Sequence, residues 1–436
     1  MTNEELAGAV IAAFEGTQPD GVVLACAVVD RDGTAMAASD PSGRDGVFEL
    51  GSITKALTGT LLGALVVRGT VELNAPVARW LDAGDNGEIT LLQLATHTSG
   101  LPRLAPNWRD AEGFDRADPY AAFTVELAEQ GLRATARDGI GTTAYSNFGF
   151  QLLGLVLERA GGAPYGELLR DEVLGPLGME HTSLRTSAGL DGHETDGRVV
   201  PHWTQPLPAA GGTEGRIVDL AALARAVIDP PPGRAGEALK LATQSHFRES
   251  DRKEKGLGWT TFDGHRIFHN GGTGGFTSSL VVDTRTRRGV AILVNVADLS
   301  ALDRAAFLAA AGEDPAPARP GPPSNEPAGP EFAAAAAAFA EALRANDFAA
   351  AAALMAPATA EALPPERLRS FWSDTLAELG ALTETTPAAG TVRPFGAATR
   401  VDLTFERGAL ALHCAHGPSG AIAGVLLIGP DDPAPF

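Results

Sequence analysis

The chain has 436 residues, with 34 Lys plus Arg against 54 Asp plus Glu and a formal net charge of −20. That length holds two to three domains, or one large domain and a small one, and 44 % hydrophobic residues can bury a sizeable core. The acidic balance argues against a nucleic-acid partner, which needs clustered Lys and Arg, and against an anionic membrane surface.

Met1 to Phe14 carries no basic segment and no long apolar run. Leu6, Val10, Ile11 and Phe14 keep the spacing of an amphipathic helix. No stretch reaches the apolar length needed to span a bilayer, so a soluble cytoplasmic protein with no membrane partner is expected. Val22 to Val29 and Thr34 to Ala38 flank Asp30-Arg31-Asp32-Gly33 and predict a hairpin. A helix is predicted from about Ser52 to Arg68, on the spacing of Ile53, Leu57, Leu61, Leu62, Leu65 and Val66. Further helices fall near Leu91 to His97, Thr124 to Gln130, Gly149 to Arg159, Tyr165 to Leu174 and Ile217 to Val227. Strands return at Arg266 to His269, Thr277 to Val282 and Gly289 to Asn295, before a helix at Leu302 to Ala311. The expected architecture is α/β, one sheet covered by helices with a mainly helical middle.

Glu313 to Pro330 is dense in proline and reads as a linker between residues 1–312 and a tail, 331–436. The tail predicts helices at Phe332 to Arg344, Phe348 to Met355 and Pro364 to Leu379. Strands follow at Thr399 to Phe405, Ala409 to Cys414 and Ala421 to Ile428, a small α+β domain. In that order it resembles the NTF2-like or cystatin-like accessory domains. Cys26 and Cys414 are far apart, and no CxxC spacing supports a thiolate zinc site or a dithiol.

Three short segments can carry chemistry. In Gly51-Ser52-Ile53-Thr54-Lys55 a serine opens an apolar helix, and a lysine lies one turn on, on the same side. A desolvated, neutral lysine can take a hydroxyl proton and make the serine a nucleophile. The bland alternative is a capping serine and a solvated lysine. A second Ser-x-x-Lys, Ser250 to Lys253, lies in a charged run and reads as surface. Tyr145-Ser146-Asn147 stands before a helix. The phenol can shuttle a proton and the amide can meet a substrate carbonyl, or the pair can be a buried Tyr and a helix cap. His269-Asn270-Gly271-Gly272 ends a strand, where glycines let backbone approach a ligand. The Gly cluster lacks the GK[ST] of a phosphate loop. His265 and His269 lack a third ligand, so no metal and no cofactor are expected.

In this order Ser52-x-x-Lys55, Tyr145-x-Asn147 and His269-x-Gly271 resemble the three motifs of the serine β-lactamase and penicillin-binding-protein superfamily. The branch indicated is that of class C β-lactamases, D-alanyl-D-alanine carboxypeptidases and related esterases. Thr96-His97-Thr98-Ser99-Gly100-Leu101-Pro102, Pro176-Leu177-Gly178-Met179 and Ala210-Gly211-Gly212 fit that branch. The resemblance covers residues 5 to 312. It implies the antiparallel β-lactamase-like sheet covered by helices, and an acyl-enzyme on Ser52. Lys55 and Tyr145 would be the other catalytic residues. Asn147, His269, Asn270, Gly271 and Gly272 would bind a small-molecule or short peptide substrate. The backbone N–H groups of Ser52 and Gly272 would form the oxyanion hole. His97 would be structural. The third motif departs from the Lys-Thr-Gly of many members, and a histidine carries no fixed charge for a substrate carboxylate. An ester or amide hydrolase is therefore expected, as an esterase, D-amino-acid peptidase or carboxypeptidase. The alternatives are a thioesterase or acyl transferase of peptide biosynthesis, a class C-like β-lactamase, and a non-catalytic binding module.

Overall fold

The structure is a computed structural model. It describes residues 1–436 apart from 17, 116, 186–188, 196, 298–299, 317–328, 394–395, 418–419 and 430–436. Most of the predicted linker thus lies outside the described residues. The chain forms two compact units, Met1–Arg319 and Pro320–Phe436.

The first unit is built on an eight-stranded sheet whose neighbours are all antiparallel. Its order is Thr34–Ala38, Leu24–Val29, Arg288–Val294, Thr277–Asp283, Arg266–Gly272, Thr260–Phe262, Lys253–Lys255 and Phe247–Ser250. The central strands are apolar without alternation because both faces of the sheet are covered. In Leu24–Val29, residues Ala25, Ala27 and Val29 face one core with the helix Ile53–Val67, while Leu24, Cys26 and Val28 face the other. That second core is closed by the helices Asn3–Phe14 and Ser300–Ala311. Ile53–Val67 is buried on all sides from Ile53 to Leu65, as a helix apolar around its whole circumference must be. The lysine in it goes inside with the rest.

Three strands at the sheet edge escape the sequence pattern. Phe247–Ser250, Lys253–Lys255 and Thr260–Phe262 are short, and the first two are charged, as edge strands commonly are. Lys253 reaches Glu249 across the hairpin at 2.9 Å. The second Ser-x-x-Lys is this hairpin and no helix stands behind it.

The second unit packs the helices Pro330–Arg344, Phe348–Ala353, Pro357–Ala362 and Pro365–Leu379 with a four-stranded antiparallel meander in sequential order. Its strands are Leu382–Arg393, Gly396–Phe405, Gly408–His416 and Ile422–Ile428, around a core with Phe339, Trp372, Val401 and Cys414. The first strand was not predicted. Its Thr-Glu-Thr-Thr-Pro run is polar and holds a proline, which an edge strand tolerates.

Candidate active site

Ser52 sits in a tight turn between the two-residue strand Phe48–Glu49 and its helix. The turn is pinned from three sides. Ser278 Oγ donates to Leu50 O at 2.8 Å, Leu50 N donates to Thr213 O at 3.0 Å, and Thr54 Oγ1 donates to Gly51 O at 2.7 Å. Gly51 has φ +50°, a conformation that favours glycine. A Cβ there would lie 2.6 Å from Gly272 N, and one on Gly271 would lie 2.8 Å from Ser52 N. The turn and the end of Arg266–Gly272 therefore touch backbone to backbone. The Ser52 side chain caps nothing, although it occupies the N-cap position. A capping role does not account for it.

One turn into the helix, Lys55 is fully buried, with Nζ 3.0 Å from Ser52 Oγ. Nζ also donates to Ala210 O at 2.5 Å. That carbonyl is held because Thr58 Oγ1, the next turn of the helix, donates to Ala209 O at 2.7 Å. Among the described residues no carboxylate pairs with Lys55. Burial, then the Arg103 charge, lower its pKa well below that of a solvated lysine. A neutral amine can donate to Ala210 O while its lone pair accepts the Ser52 hydroxyl proton.

The Tyr145 ring centroid lies 4.8 Å from Lys55 Nζ. Burial pushes its phenol up to about 12, against the opposing pull of Ser52 and Arg103. It is a protonated acid at neutral pH. His97 packs against it in a tilted arrangement, ring centroids 4.6 Å apart, and against Phe150 at 5.0 Å. His97 Nδ1 accepts the Ser146 N–H at 3.1 Å, so Nε2 carries the proton of a neutral ring, and burial keeps it neutral. His97 positions the Tyr145 segment. Ser146, rather than Asn147, caps the following helix Asn147–Gly161, its Oγ accepting from Gly149 N at 2.8 Å.

Asn147 Nδ2 donates to the Tyr120 hydroxyl at 3.2 Å, while its Oδ1 is buried with no partner. It makes no hydrogen bond to Lys55. His269 is buried, and its Nδ1 lies 2.6 Å from Asn270 O. A carbonyl only accepts, so Nδ1 holds the proton and Nε2 is an acceptor. Burial, then the Lys55 charge, take this imidazole down to about 3. The third motif therefore presents a neutral ring.

Asn270 lines the cleft, but its side-chain amide is engaged elsewhere. Side chains alternate along a strand, and its Nδ2 turns to the other face, donating to Asp303 Oδ2 at 2.7 Å. Ser279 Oγ donates to the other oxygen of Asp303 at 2.7 Å. Gly271 is buried against the Ser52 turn and Gly272 is exposed beside it. A cleft of about 160 Å³ is lined by Tyr145, His269, Asn270, Lys255, Trp259 and Phe268 among others.

Sequence reasoning missed Arg103, Tyr120, Lys255 and the Ala210 carbonyl. Arg103 directly follows the Leu101-Pro102 pair already noted, and Tyr120 is one of only three tyrosines. The third, Tyr165, bonds Thr58 Oγ1 at 2.7 Å, one turn beyond Lys55. Among the described residues no group of three His, Cys, Asp or Glu is placed to hold a metal, and no helix is long and apolar enough to cross a membrane.

The fold and the serine, lysine and tyrosine brought together at one end of the sheet define the class. The family model described as Beta-lactamase matches residues 7–313, and the chain belongs to that family. It is 36 % identical over 158 residues to the D-alanyl-D-alanine-carboxypeptidase/endopeptidase AmpH of Escherichia coli K12, covering 33 % of this chain and 38 % of that protein. Protein flp of Staphylococcus aureus MW2 is 25 % identical over 280 residues, 57 % of this chain and 53 % of its own. The matches thus span about a third to a half of these relatives. Among solved structures, a Beta-Lactamase/D-Alanine Carboxypeptidase from Pseudomonas syringae superposes with TM-score 0.60 at 18 % identity, over 69 % of this chain and 96 % of that one. A class C beta lactamase from Rhodobacter sphaeroides gives TM-score 0.58 at 21 % identity, over 68 % and 96 %. These two share the fold.

Proposed function

We propose that the first unit is a serine hydrolase that works through an acyl-enzyme on Ser52, cleaving an ester or amide of a small molecule or short peptide. The observation that carries this reading is Lys55: a buried amine with no counter-ion among the described residues, 3.0 Å from the hydroxyl it would deprotonate. Its neutral form takes the Ser52 proton as Oγ bonds to the substrate carbonyl carbon. The oxyanion meets the backbone N–H groups of Ser52 and Gly272. Tyr145, protonated at neutral pH, gives its proton to the leaving group and regains one from the Lys55 ammonium. Water then repeats the sequence on the acyl-enzyme. Asn147 Oδ1, buried without a partner, is free to accept a substrate N–H.

Carboxypeptidase and β-lactamase are printed names of relatives, and either activity is a narrower version of this proposal. A neutral His269 favours an ester or peptide over a ligand that needs a fixed cation at the third motif. The second unit, helices followed by a meander, is read as an accessory domain of NTF2-like build.

The test is intact-mass spectrometry after exposure to a fluorophosphonate, with turnover of a 4-nitrophenyl ester in parallel. One phosphonate per chain, located on Ser52 and lost in Ser52→Ala, is the expected result. Ester turnover that survives in Ser52→Ala would sink the assignment.

A further inference from the structure

Arg103 is a permanent cation beside Tyr145. Its guanidinium carbon lies 5.2 Å from the centroid of the Tyr145 ring, and the residue is exposed. Its backbone is fixed to the catalytic segment. Arg103 O accepts from Asn147 N at 2.9 Å and from Phe148 N at 3.2 Å, and Pro102 O accepts from Ser146 Oγ at 2.6 Å. Arg103 thus stands beside Tyr145 and Asn147 because the chain there is tied to them. Its charge reaches Lys55, Tyr145, Tyr120 and His97.

Several arginines of this unit are ion-paired, and others, such as Arg79 and Arg109, are not among the ion pairs of the described residues. Arg68 pairs with Glu172, Arg133 with Asp82, Arg159 with Glu129 and Arg185 with Glu49. Among the described residues Arg103 has no carboxylate within ion-pair distance. What sets Arg103 apart is its place over the Tyr145 ring. A permanent cation at the edge of a partly dry site attracts anions, and a planar guanidinium suits a carboxylate. The tyrosine face under it keeps it in place by cation–π attraction.

We infer that Arg103 is a specificity-determining residue that binds a carboxylate or other anionic group of the substrate, in place of a lysine in the third motif. This rests on the acyl-enzyme reading above and names the substrate class of that same site: esters or amides that carry a negative charge close to the scissile carbonyl.

The experiment compares mono-4-nitrophenyl adipate with 4-nitrophenyl hexanoate, esters of equal chain length that differ by one acyl-side carboxylate. A second pair, 4-carboxyphenyl hexanoate and phenyl hexanoate, puts the charge on the leaving group. In at least one pair the native chain should show a higher kcat/KM for the anionic member. Arg103→Ala should lower that anionic kcat/KM about 10- to 100-fold more than the neutral one, the range of one charge-assisted contact. Arg103→Lys should restore part of the preference, Arg103→Glu should invert it, and added salt should weaken it in the native chain and in Arg103→Lys but not in Arg103→Ala. The pair that responds tells on which side of the scissile bond the anion sits. If both members of both pairs change equally in Arg103→Ala, the residue is structural and the inference falls. If no ester turns over and no phosphonate labels Ser52, the acyl-enzyme reading has failed instead.

Discussion

Gly271→Ala tests the contact on which the oxyanion geometry depends. The new Cβ would lie 2.1 Å from Leu50 O, 2.4 Å from Ser278 Oγ and 2.8 Å from Ser52 N. Ser278 Oγ can rotate away, but two of the three atoms are backbone in a turn held by Thr213 and Thr54. Ordinary contact begins at 3.4 Å, so strand and turn must part by about 1.3 Å along the Leu50 line. A displacement of that size moves the Ser52 N–H relative to the Gly272 N–H. Losing one oxyanion donor costs about 100- to 1,000-fold in turnover, and a misplacement near 1 Å about 100-fold. Overpacking costs about 1–3 kcal/mol of stability. The assay is kcat/KM on 4-nitrophenyl hexanoate beside a thermal melt and circular dichroism. Gly8→Ala is the control, since its Cβ meets nothing within 4 Å on the helix Asn3–Phe14. A folded Gly271→Ala that keeps kcat/KM within about threefold of the native chain would refute the oxyanion assignment.

Two further substitutions test the buried charges. The Lys55 pKa is lowered by folding, so below its ordinary value the unfolded chain holds a proton that the native site gives up. Stability therefore rises with pH across that window, and at neutral pH Lys55 destabilises the fold. Lys55→Met should melt higher than the native chain at pH 7 while losing at least about 1,000-fold in acylation; a lower melting point would contradict the desolvation argument. Asp303 has the opposite linkage, burial raising its pKa to about 6 from an ordinary 3.8. The native state keeps a proton that the unfolded chain loses between those values, so stability falls as pH rises across them, by on the order of 2–3 kcal/mol. Asp303→Asn should remove that slope in urea titrations from pH 4 to 7, and an unchanged slope would locate its origin elsewhere.

The proposed catalytic group is legible in the sequence because each member is announced locally. Ser52 and Lys55 are one helical turn apart, so sequence spacing is also spatial spacing. Tyr145 and His269 come with short neighbours of their own, and only the fold brings them to Ser52. Spacing does not show that the Asn270 amide turns to Asp303, because the motif spans both faces of a strand and its side chains alternate. Arg103, Tyr120 and the Ala210 carbonyl could not be found by spacing. Each reaches the site through a loop whose path is set by contacts with Ser146, Asn147 and Thr58. The edge strands Phe247–Ser250 and Lys253–Lys255 were lost for a different reason: charge there keeps an open edge soluble and erases the apolar signal.

Which group is the base can be decided from the protons. A Lys55 ammonium beside a Tyr145 phenolate and the neutral pair hold the same number of protons, so the two arrangements differ only in charge separation. The site is buried, has no carboxylate partner for Lys55 among the described residues, and has Arg103 close by. Burial disfavours both ions, and the tyrosine is held protonated up to about 12. The neutral pair wins, although the two titrate as one unit. The consequence is an asymmetric pH profile for acylation of the native chain. kcat/KM should rise as Lys55 loses its proton, at a pH below that of a free lysine, and then stay level. His269 contributes no limb near neutrality, since its imidazole is already neutral down to about 3. Stopped-flow acylation by 4-nitrophenyl hexanoate from pH 5 to 10 checks this. A descending limb below pH 9 that disappears in Tyr145→Phe would mean that the phenol ionises within the working range, and Tyr145 rather than Lys55 would then be the base.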